Sequence, residues 1–600
     1  MNFLRYIRIM IVGIFYLWAF KNLGMEKLMR NGLWYAWIVL VILDLSMRGG
    51  LWLVHSVTGL RFLANYIMSV TVLLTVLSLL SFIRNKTLFW IIYSLVIIFP
   101  LVIQGNYFWI YKKFLSPSIF SIFFESPGMV AGTSAANLNI PLILYLLFFS
   151  SLAGMMLFRF KPRRKWIIIP DILILLGFFI FFLLHWYSVS NFQHSTFSFY
   201  NTLTEDIMVN NNKSIHPDRV AVSPITPLKN SPNFVLVVGE SQVLSHMSLY
   251  GYKRKTTPLL DSLYKEKRII PLNKAVSIGN KTRFSIPYML VGLEGPDPKG
   301  AFFRYPSLFD YMKAAGYHTL FISAQDLHWG YLDRYFDDGH IDLLEDGSYF
   351  SSNVDVHKGA DDLVVLPHLY RFLEKYGKPF LLVVQMDGSH YPYNIHCPDS
   401  LKRFLPEESP NCVNAFDNTL IVTDIYLTRL YQYLNSKFPN TYMFFTPDHG
   451  QNFGGLNGRF NDNFKPDVWH NALIIFPPVQ DTIQYSIFEK NRNRLSSQAD
   501  IFATILDLSG ITPQYRIDGI SFLDTVHSHP YVTCMEYMPT FHNDPTGIVV
   551  DSSLQTLFID FSKHAVTDYH FDKSYHYEDL EPVIKEMLDH RLKREEPEKQ

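Results

Sequence analysis

The sequence predicts an α/β protein in two parts: an N-terminal multi-span α-helical membrane domain, and an α/β/α sandwich built on a largely parallel sheet. Three features carry that expectation. Apolar residues make up 49% of the 600 residues, and they crowd into the first third of the chain. From about residue 232 onward, short apolar runs alternate with stretches of helical period, the pattern of strands covered by helices. Two of those runs, 234–238 and 441–446, stop just before acidic residues, at the strand ends where open α/β sheets bind their ligands.

Residues 1–188 form the expected membrane domain. Apolar stretches centre on 9–20, 34–45, 62–82, 88–102, 140–158 and 166–186. The longer ones approach the ~20 residues needed to cross ~30 Å of hydrocarbon. The first two are short and interrupted by charge, which leaves five or six spans. A cleavable signal peptide is disfavoured, because several spans follow and no A-x-A-like site appears. The basic cluster Arg159-Phe-Lys-Pro-Arg-Arg-Lys165, with Arg84 and Lys86 one hairpin earlier, marks cytoplasmic loops. Arg5 and Arg8 place the N-terminus on the same side, so an odd number of spans, about five, sends the rest of the chain outward. In a cell with two membranes that is the periplasm. Segment 111–137, with Pro117 and Pro127, is expected as an outer loop near the membrane face.

Residues 189–231 are polar and rich in Asn, Ser and Pro, a linker with room for one interfacial helix. Residues 232–600 hold the α/β domain. Strands are expected at 234–238, 319–323, 380–385, 441–446 and 472–476, with helices at 361–376, 418–434 and 498–508, the last before a Ser509-Gly510 stop. After residue 532 the strands look antiparallel, and the charged stretch 590–600 is expected to fray. Net charge is zero, so nothing in the bulk balance argues for nucleic acid as a partner. The three cysteines, Cys397, Cys412 and Cys534, form no C-x-x-C or C-x-P-x-R pattern, which argues against a zinc ribbon and a cysteine-derived sulfatase nucleophile.

The chemistry-bearing residues lie where the apolar runs stop. Asn233-Phe-Val-Leu-Val-Val-Gly-Glu240 offers an acid, and Thr441-Tyr-Met-Phe-Phe-Thr-Pro-Asp448-His449-Gly450 offers an acid and an imidazole. Glu240, Asp448 and His449 are the ligand types of a divalent metal site; a surface turn with Asp capping the next helix would use the same residues. A third segment, Ser277-Ile-Gly-Asn-Lys-Thr282-Arg-Phe-Ser-Ile-Pro287, carries hydroxyls. A hydroxyl is a poor nucleophile at neutral pH, and a neighbouring base or metal activates it; alternatively, Thr282 simply caps a helix. His390, in Asp387-Gly-Ser-His390, and His470, in Val468-Trp-His470, are placed to bind a phosphate oxygen or protonate a leaving alkoxide, or to serve as hydrogen-bonded structural histidines.

The ordered set Val-Val-Gly-Glu240, Ser-x-Gly-x-x-Thr282-x-x-Ser-x-Pro287, Gly-Ser-His390 and Asp448-His449-Gly450 resembles the phosphoethanolamine transferases that modify lipid A. These include the mobile colistin-resistance enzymes. They belong to the alkaline-phosphatase-like superfamily, together with lipoteichoic acid synthases and sulfatases. The resemblance covers about residues 232–525, supported by Ser248-Leu-Tyr-Gly-Tyr252, Thr257-Pro-Leu-Leu260 and Asp417-Asn-Thr-Leu-Ile-Val-Thr-Asp424; the membrane half matches in architecture only. It implies an alkaline-phosphatase-like fold, and a catalytic zinc (Zn2+) on Glu240, Asp448 and His449. Thr282 would be both its fourth ligand and the nucleophile. Thr282 would take phosphoethanolamine from phosphatidylethanolamine, releasing diacylglycerol, and pass it to a lipid A phosphate. His390 matches a substrate-binding or proton-donating histidine. His470 falls near a second one out of clean register, with Asn457 closer to that place. Many relatives flank the nucleophile with cysteines where Ile278 and Tyr288 stand here, and carry another pair where Cys397 and Cys412 lie; a bridge between those two is the corresponding expectation. Ser241 stands where relatives often have Thr.

The implied protein is a multi-pass, monomeric enzyme of the bacterial inner membrane with a periplasmic catalytic domain. The same centre would serve a phosphoglycerol or phosphoethanolamine transferase acting on a periplasmic glycan or other envelope acceptor, or, less readily, a membrane-anchored phosphodiesterase. A transporter would place more charge within its spans than Asp44 and Asp171. A scaffold would be expected to have lost a ligand, and all four residues remain.

Overall fold

The computed structural model describes residues 32–48, 60–111, 114–115, 138–160, 193–210, 218–327, 332–336, 339–352, 354, 358–409, 412–453, 464–536, 546–560, 565–568, 574–594 and 596–599. The chain divides into two compact units, 1–211 and 212–600. The expected spans at 9–20 and 166–186 lie outside the described residues.

In the first unit, helices Gly32–Arg48, Leu60–Ser81 and Ile140–Arg159 pack with a long helix that runs from Lys86 through a π-helical turn at Ser94–Ile98 to Tyr111. Asn85 and Asn139 start their helices by accepting the N–H three residues on, which satisfies one of the donors a helix leaves open. Two helices among the described residues, Lys86–Trp109 and Ile140–Arg159, are long and apolar enough to cross a membrane, with mean hydropathy 2.2 and 2.1. Their shared core holds Leu40, Leu43, Leu77, Tyr93, Leu101, Leu146 and Leu157. A helix at Ser195–Asn210 fills part of the expected linker. Its first N–H, at Ser195, donates to the buried carboxylate of Asp44, 2.8 Å away, and the Tyr66 hydroxyl donates to the same carboxylate.

The second unit is an eight-stranded, mostly parallel sheet between helices. Its strands are β1 (Asn233–Gly239), β2 (Ile270–Val276), β3 (His318–Ser323), β4 (Leu343–Glu345), β5 (Phe380–Gln385), β6 (Thr441–Pro447), β7 (His470–Phe476) and β8 (Ser496–Ser497), in the order β4-β3-β5-β1-β6-β7-β2-β8. Only the pairings of β7, with β6 and β2, are antiparallel. The central strands β1, β5 and β6 are buried along their whole length. That explains their unbroken apolar runs, since helices cover both faces. Helices Asp362–Tyr376 and Val413–Lys437 supply the layer on one face, through Leu366, Leu369, Leu420, Leu427 and Leu430.

Strand β2 was not expected. Pro271, Asn273 and Lys274 interrupt its apolar pattern, and a bulge between Leu272 and Ala275 absorbs the irregularity. A second, antiparallel sheet follows: β9 (Tyr531–Glu536), β10 (Thr546–Asp551), β11 (Thr556–Asp560), β12 (Ala565–Asp568) and β13 (Ser574–His576). The chain end corrects the sequence reading. Helix Pro582–Lys593 runs into the stretch expected to fray, and Arg591 and Arg594 are buried. Arg591 pairs with Glu294 at 3.0 Å, and Arg594 with Asp518 at 2.7 Å. Their guanidinium groups hold the Asp518 carboxyl far below the usual range despite its burial.

Candidate metal centre

Strand register assembles the site. β1 and β6 pair in parallel with Gly239 opposite Pro447, so Glu240 and Asp448 leave the sheet side by side. The Asp448 N–H donates to Gly239 O at 2.9 Å, holding the two ends level. On the other flank, Val238 pairs with Gln385, and Ser389 N–H donates to Glu240 O at 2.9 Å, which brings the segment 387–390 beside Glu240. Gly388 has φ +55°, and a Cβ there would lie 2.8 Å from the Glu240 nitrogen. Glycine is therefore required by both conformation and space. Ser241 also adopts a left-handed backbone, φ +56°, which turns its N–H onto Asp448 Oδ1 at 3.0 Å while its hydroxyl donates to Glu240 Oε1 at 2.6 Å.

Thr282 is the first residue of the helix Thr282–Met289. Its Oγ1 donates to Asp448 Oδ2 at 2.6 Å and approaches Glu240 Oε2 at 3.3 Å. The helix N-terminus adds its partial positive charge at the same point. One ligand atom from each of Glu240, Asp448 and His449 lies within 4.8 Å of the others, and all three residues are buried. His449 Nδ1 sits 2.9 Å from Gly450 O. With the proton on Nδ1 for that bond, the Nε2 lone pair faces the carboxylates, 3.3 Å from Asp448 Oδ2.

The electrostatics ask for a cation. Burial opposes charge on Glu240, but hydrogen bonds from Ser241 and Gln325, with the attraction that a proton on the His449 or His390 imidazole would add, hold that carboxyl below its ordinary value. Asp448 is pushed well above its own, by burial first and by the Glu240 charge second. Burial likewise lowers the His449 pKa, leaving the imidazole neutral, the form that binds metal. Two buried carboxylates, a neutral imidazole and a threonine hydroxyl fit a divalent ion.

His390 stands near enough to Glu240 for the two to interact. Its Nδ1 is buried, with no hydrogen-bond partner among the described residues. His470 is turned elsewhere: its Nε2 bonds Asn273 O on β2 at 2.9 Å, and burial lowers its pKa. Asn457 lies outside the described residues. All three cysteines are free thiols, with Cys412 Sγ accepting from Ala415 N at the start of its helix. Burial pushes the Cys397 and Cys534 thiols up to about 12.

Three glutamines that the sequence did not single out as site residues support the site. Gln325 Nε2 donates to Glu240 Oε2 at 3.1 Å, and Gln385 Nε2 donates to Gln325 Oε1 at 3.0 Å, fixing the amide's orientation. Gln498 ties the loop before Thr282 to the β6 end, accepting from Ile278 N at 2.9 Å and donating to Pro447 O at 2.6 Å. None stands in a motif; only the folded sheet brings them to the site.

Known proteins match this part of the chain. Residues 232–511 match the family model Sulfatase. Phosphoethanolamine transferase EptC of Escherichia coli K12 is 25% identical over 335 residues, 52% of this chain and 56% of that protein. The Kdo(2)-lipid A phosphoethanolamine 7''-transferase of Salmonella typhimurium is 25% identical over 282 residues, 44% of this chain and 48% of that protein. The chain thus spans about half the length of the curated relatives it matches. Among solved structures, the integral membrane protein lipooligosaccharide phosphoethanolamine transferase A (EptA) from Neisseria meningitidis superposes with a TM-score of 0.58 at 16% identity, covering 80% of this chain and 95% of that one. The fold of the second unit is alkaline-phosphatase-like, a mostly parallel eight-stranded sheet with the candidate centre at the carboxyl ends of its central strands.

Proposed function

We propose that this chain, whose residues 232–511 form a sulfatase-family domain, moves phosphoethanolamine from phosphatidylethanolamine to a phosphate of lipid A, in the inner membrane with its catalytic domain in the periplasm. The observation that carries the reading is the Thr282 hydroxyl at a helix N-terminus, donating to one carboxylate of a buried Glu-Asp-His cluster and close to the other. The relatives' names support the transferred group, one of them a Kdo(2)-lipid A acceptor and another phosphatidylethanolamine, and the two long apolar helices support the membrane anchor.

Glu240, Asp448, His449 and Thr282 Oγ1 would hold the metal, and zinc suits two carboxylates, an imidazole and a fourth oxygen. When bound, it lowers the pKa of the hydroxyl and neutralises charge on the phosphoryl oxygens. Thr282 Oγ1 forms the new bond to phosphorus as the P–O bond to diacylglycerol breaks. The hydroxyl proton departs toward Asp448 Oδ2, its 2.6 Å partner. His390 gives the leaving glycerol oxygen its proton and so restores the alcohol. A lipid A phosphate oxygen then attacks the phosphorus as the Thr282 Oγ1–P bond breaks; Oγ1 takes back the proton left on Asp448 Oδ2, and the proton of the attacking phosphate returns to His390. His470, held on Asn273, plays no part in these steps. The product gains an amine that offsets an anionic phosphate, weakening the attraction of cationic peptides for the surface.

The test uses the purified full chain with zinc, phosphatidylethanolamine and lipid A. Diacylglycerol release and a phosphoethanolamine mass increment on lipid A are expected, and Thr282→Ala abolishes both. Release without modified lipid A would overturn the acceptor. An active Thr282→Ala would overturn the threonine route.

A further inference from the structure

Two histidine nitrogens on the segment after β5 are buried and unbonded. His390 Nδ1 and His396 Nε2 have no hydrogen-bond partner among the described residues. Their rings stand nearly at right angles, 80° between planes, with 6.5 Å between centres. The His396 side chain is 3% exposed, and its Nδ1 lies 2.7 Å from Asp387 Oδ2. Asp387 is fixed in turn, because its N–H and that of Gly388 donate to the Asp362 carboxylate at 2.9 and 3.0 Å, at the first position of the helix Asp362–Tyr376. Burial alone would lower the His396 pKa, but Asp387 and then Asp362 raise it, against the opposing charge of Lys358. His390 as a whole is only half-buried, which leaves Nε2 as the nitrogen that substrate reaches. A buried nitrogen without a partner is a cost that folds normally remove. Two of them on neighbouring rings, one ring charged beside a carboxylate, are the two ends of a connection that a single bridging water completes.

We infer that Asp387 and His396 are positioning residues that supply the proton His390 gives to the leaving group: Asp387 accepts from His396 Nδ1–H, and His396 Nε2–H serves His390 Nδ1 through one water. This rests on the transferase reading above and deepens it. A carboxylate on one ring nitrogen fixes what the other can do, so the Asp387 bond aims the second proton of His396 at its neighbour. As the P–O bond to diacylglycerol breaks, the leaving oxygen takes the proton from His390 Nε2. His390 Nδ1 takes one from the water, and the water takes one from His396 Nε2. One proton has left His396 and one has reached the glycerol oxygen, while Nδ1–H of His396 stays on Asp387. When a lipid A phosphate attacks, its proton goes to His390 Nε2, and the proton on Nδ1 returns through the water to His396 Nε2. The water accepts from whichever ring carries the moving proton, so no buried N–H is stranded at either stage.

The experiment compares two leaving groups with the full-length zinc enzyme: diacylglycerol from phosphatidylethanolamine in mixed micelles, and nitrophenol from p-nitrophenyl phosphoethanolamine. An alkoxide needs a proton as it leaves, whereas nitrophenolate departs as the anion, so only the first reaction draws on the relay. The readout is the ratio of the two kcat/KM values within each variant, which does not depend on how much of a preparation is folded. Relative to wild type, His396→Gln and Asp387→Asn are each expected to lower the diacylglycerol-to-nitrophenol ratio by roughly tenfold or more. Diacylglycerol release is expected to fall as pH rises and the proton on His396 is lost. In Asp387→Asn that fall moves to lower pH, because the imidazolium loses its nearest counter-charge while Asp362 and Lys358 remain. A wild type that releases diacylglycerol, with the ratio unchanged in either variant or the pH profile unmoved in Asp387→Asn, overturns the relay and leaves the proposed function standing. A wild type that releases neither product overturns the proposed function, and this inference with it.

Discussion

Glu240, Asp448 and His449 were legible in the sequence because each directly follows a strand end, and a strand buried on both faces announces itself as an apolar run. Thr282 was legible as a hydroxyl in a short polar segment; its placement at the first position of a helix, within reach of both carboxylates, was not. Gln325 and Gln498 were invisible, since an amide that fixes a ligand looks in sequence like any polar surface residue. Lys281 and Glu536 were invisible as a pair because 255 positions separate them. His470 shows the limit of a motif: β7 runs antiparallel to β6, so its start does lie at the same edge as Pro447, but the His470 Nε2 bonds Asn273 O. A prediction belongs at this scale. Gln325→Leu keeps the volume but removes the N–H that orients Glu240, and is expected to weaken zinc affinity by roughly 10–100-fold. Competition with a chelating dye measures it, and unchanged affinity would leave Gln325 a packing residue only.

Strands and helices followed from period and propensity where both faces were covered, which is why β5 was placed to the residue. β2 escaped because a bulge and Pro271 break its pattern, and the final helix because its charged residues read as solvated when Arg591 and Arg594 are in fact buried on Glu294 and Asp518. Charged side chains also set how the elements respond to pH. Asp362, raised to about 7 by burial and by Asp387, accepts the N–H groups of Asp387 and Gly388. Asp424, raised to about 7 by burial, accepts those of Leu259 and Leu260 at the start of their helix. His396 and His529 are buried, which alone would lower them, but Asp387 and Asp500 hold both above the ordinary value. In all four the folded state binds the proton more tightly than the unfolded chain. Stability from them is therefore full at low pH and lost as pH rises, through about 7 for the acids and above about 6.5 for the histidines. The melting temperature is expected to fall between about pH 5 and about pH 8. Scanning calorimetry across that range checks it, and a flat or rising profile would contradict it.

The two-part organisation was visible at the scale of the whole chain, because an apolar first third and an alternating remainder differ in composition before any residue is interpreted. What composition could not carry was the join between the two sheets, where β9 reaches the loop before Thr282 through Met535 and brings Glu536 to Lys281. Strands from one sheet bring Glu240, Asp448 and His449 together, a helix start brings the Thr282 hydroxyl to them, and the second sheet docks on the loop before that helix. The central claim is that this hydroxyl carries the transferred group. Intact-mass and peptide mass spectrometry of the full-length zinc enzyme, quenched during incubation with phosphatidylethanolamine and no acceptor, tests it most directly. A phosphoethanolamine adduct on the peptide containing Thr282, absent from Thr282→Ala, is the expected result. An adduct on another residue, or diacylglycerol release with Thr282 unmodified throughout, would contradict it.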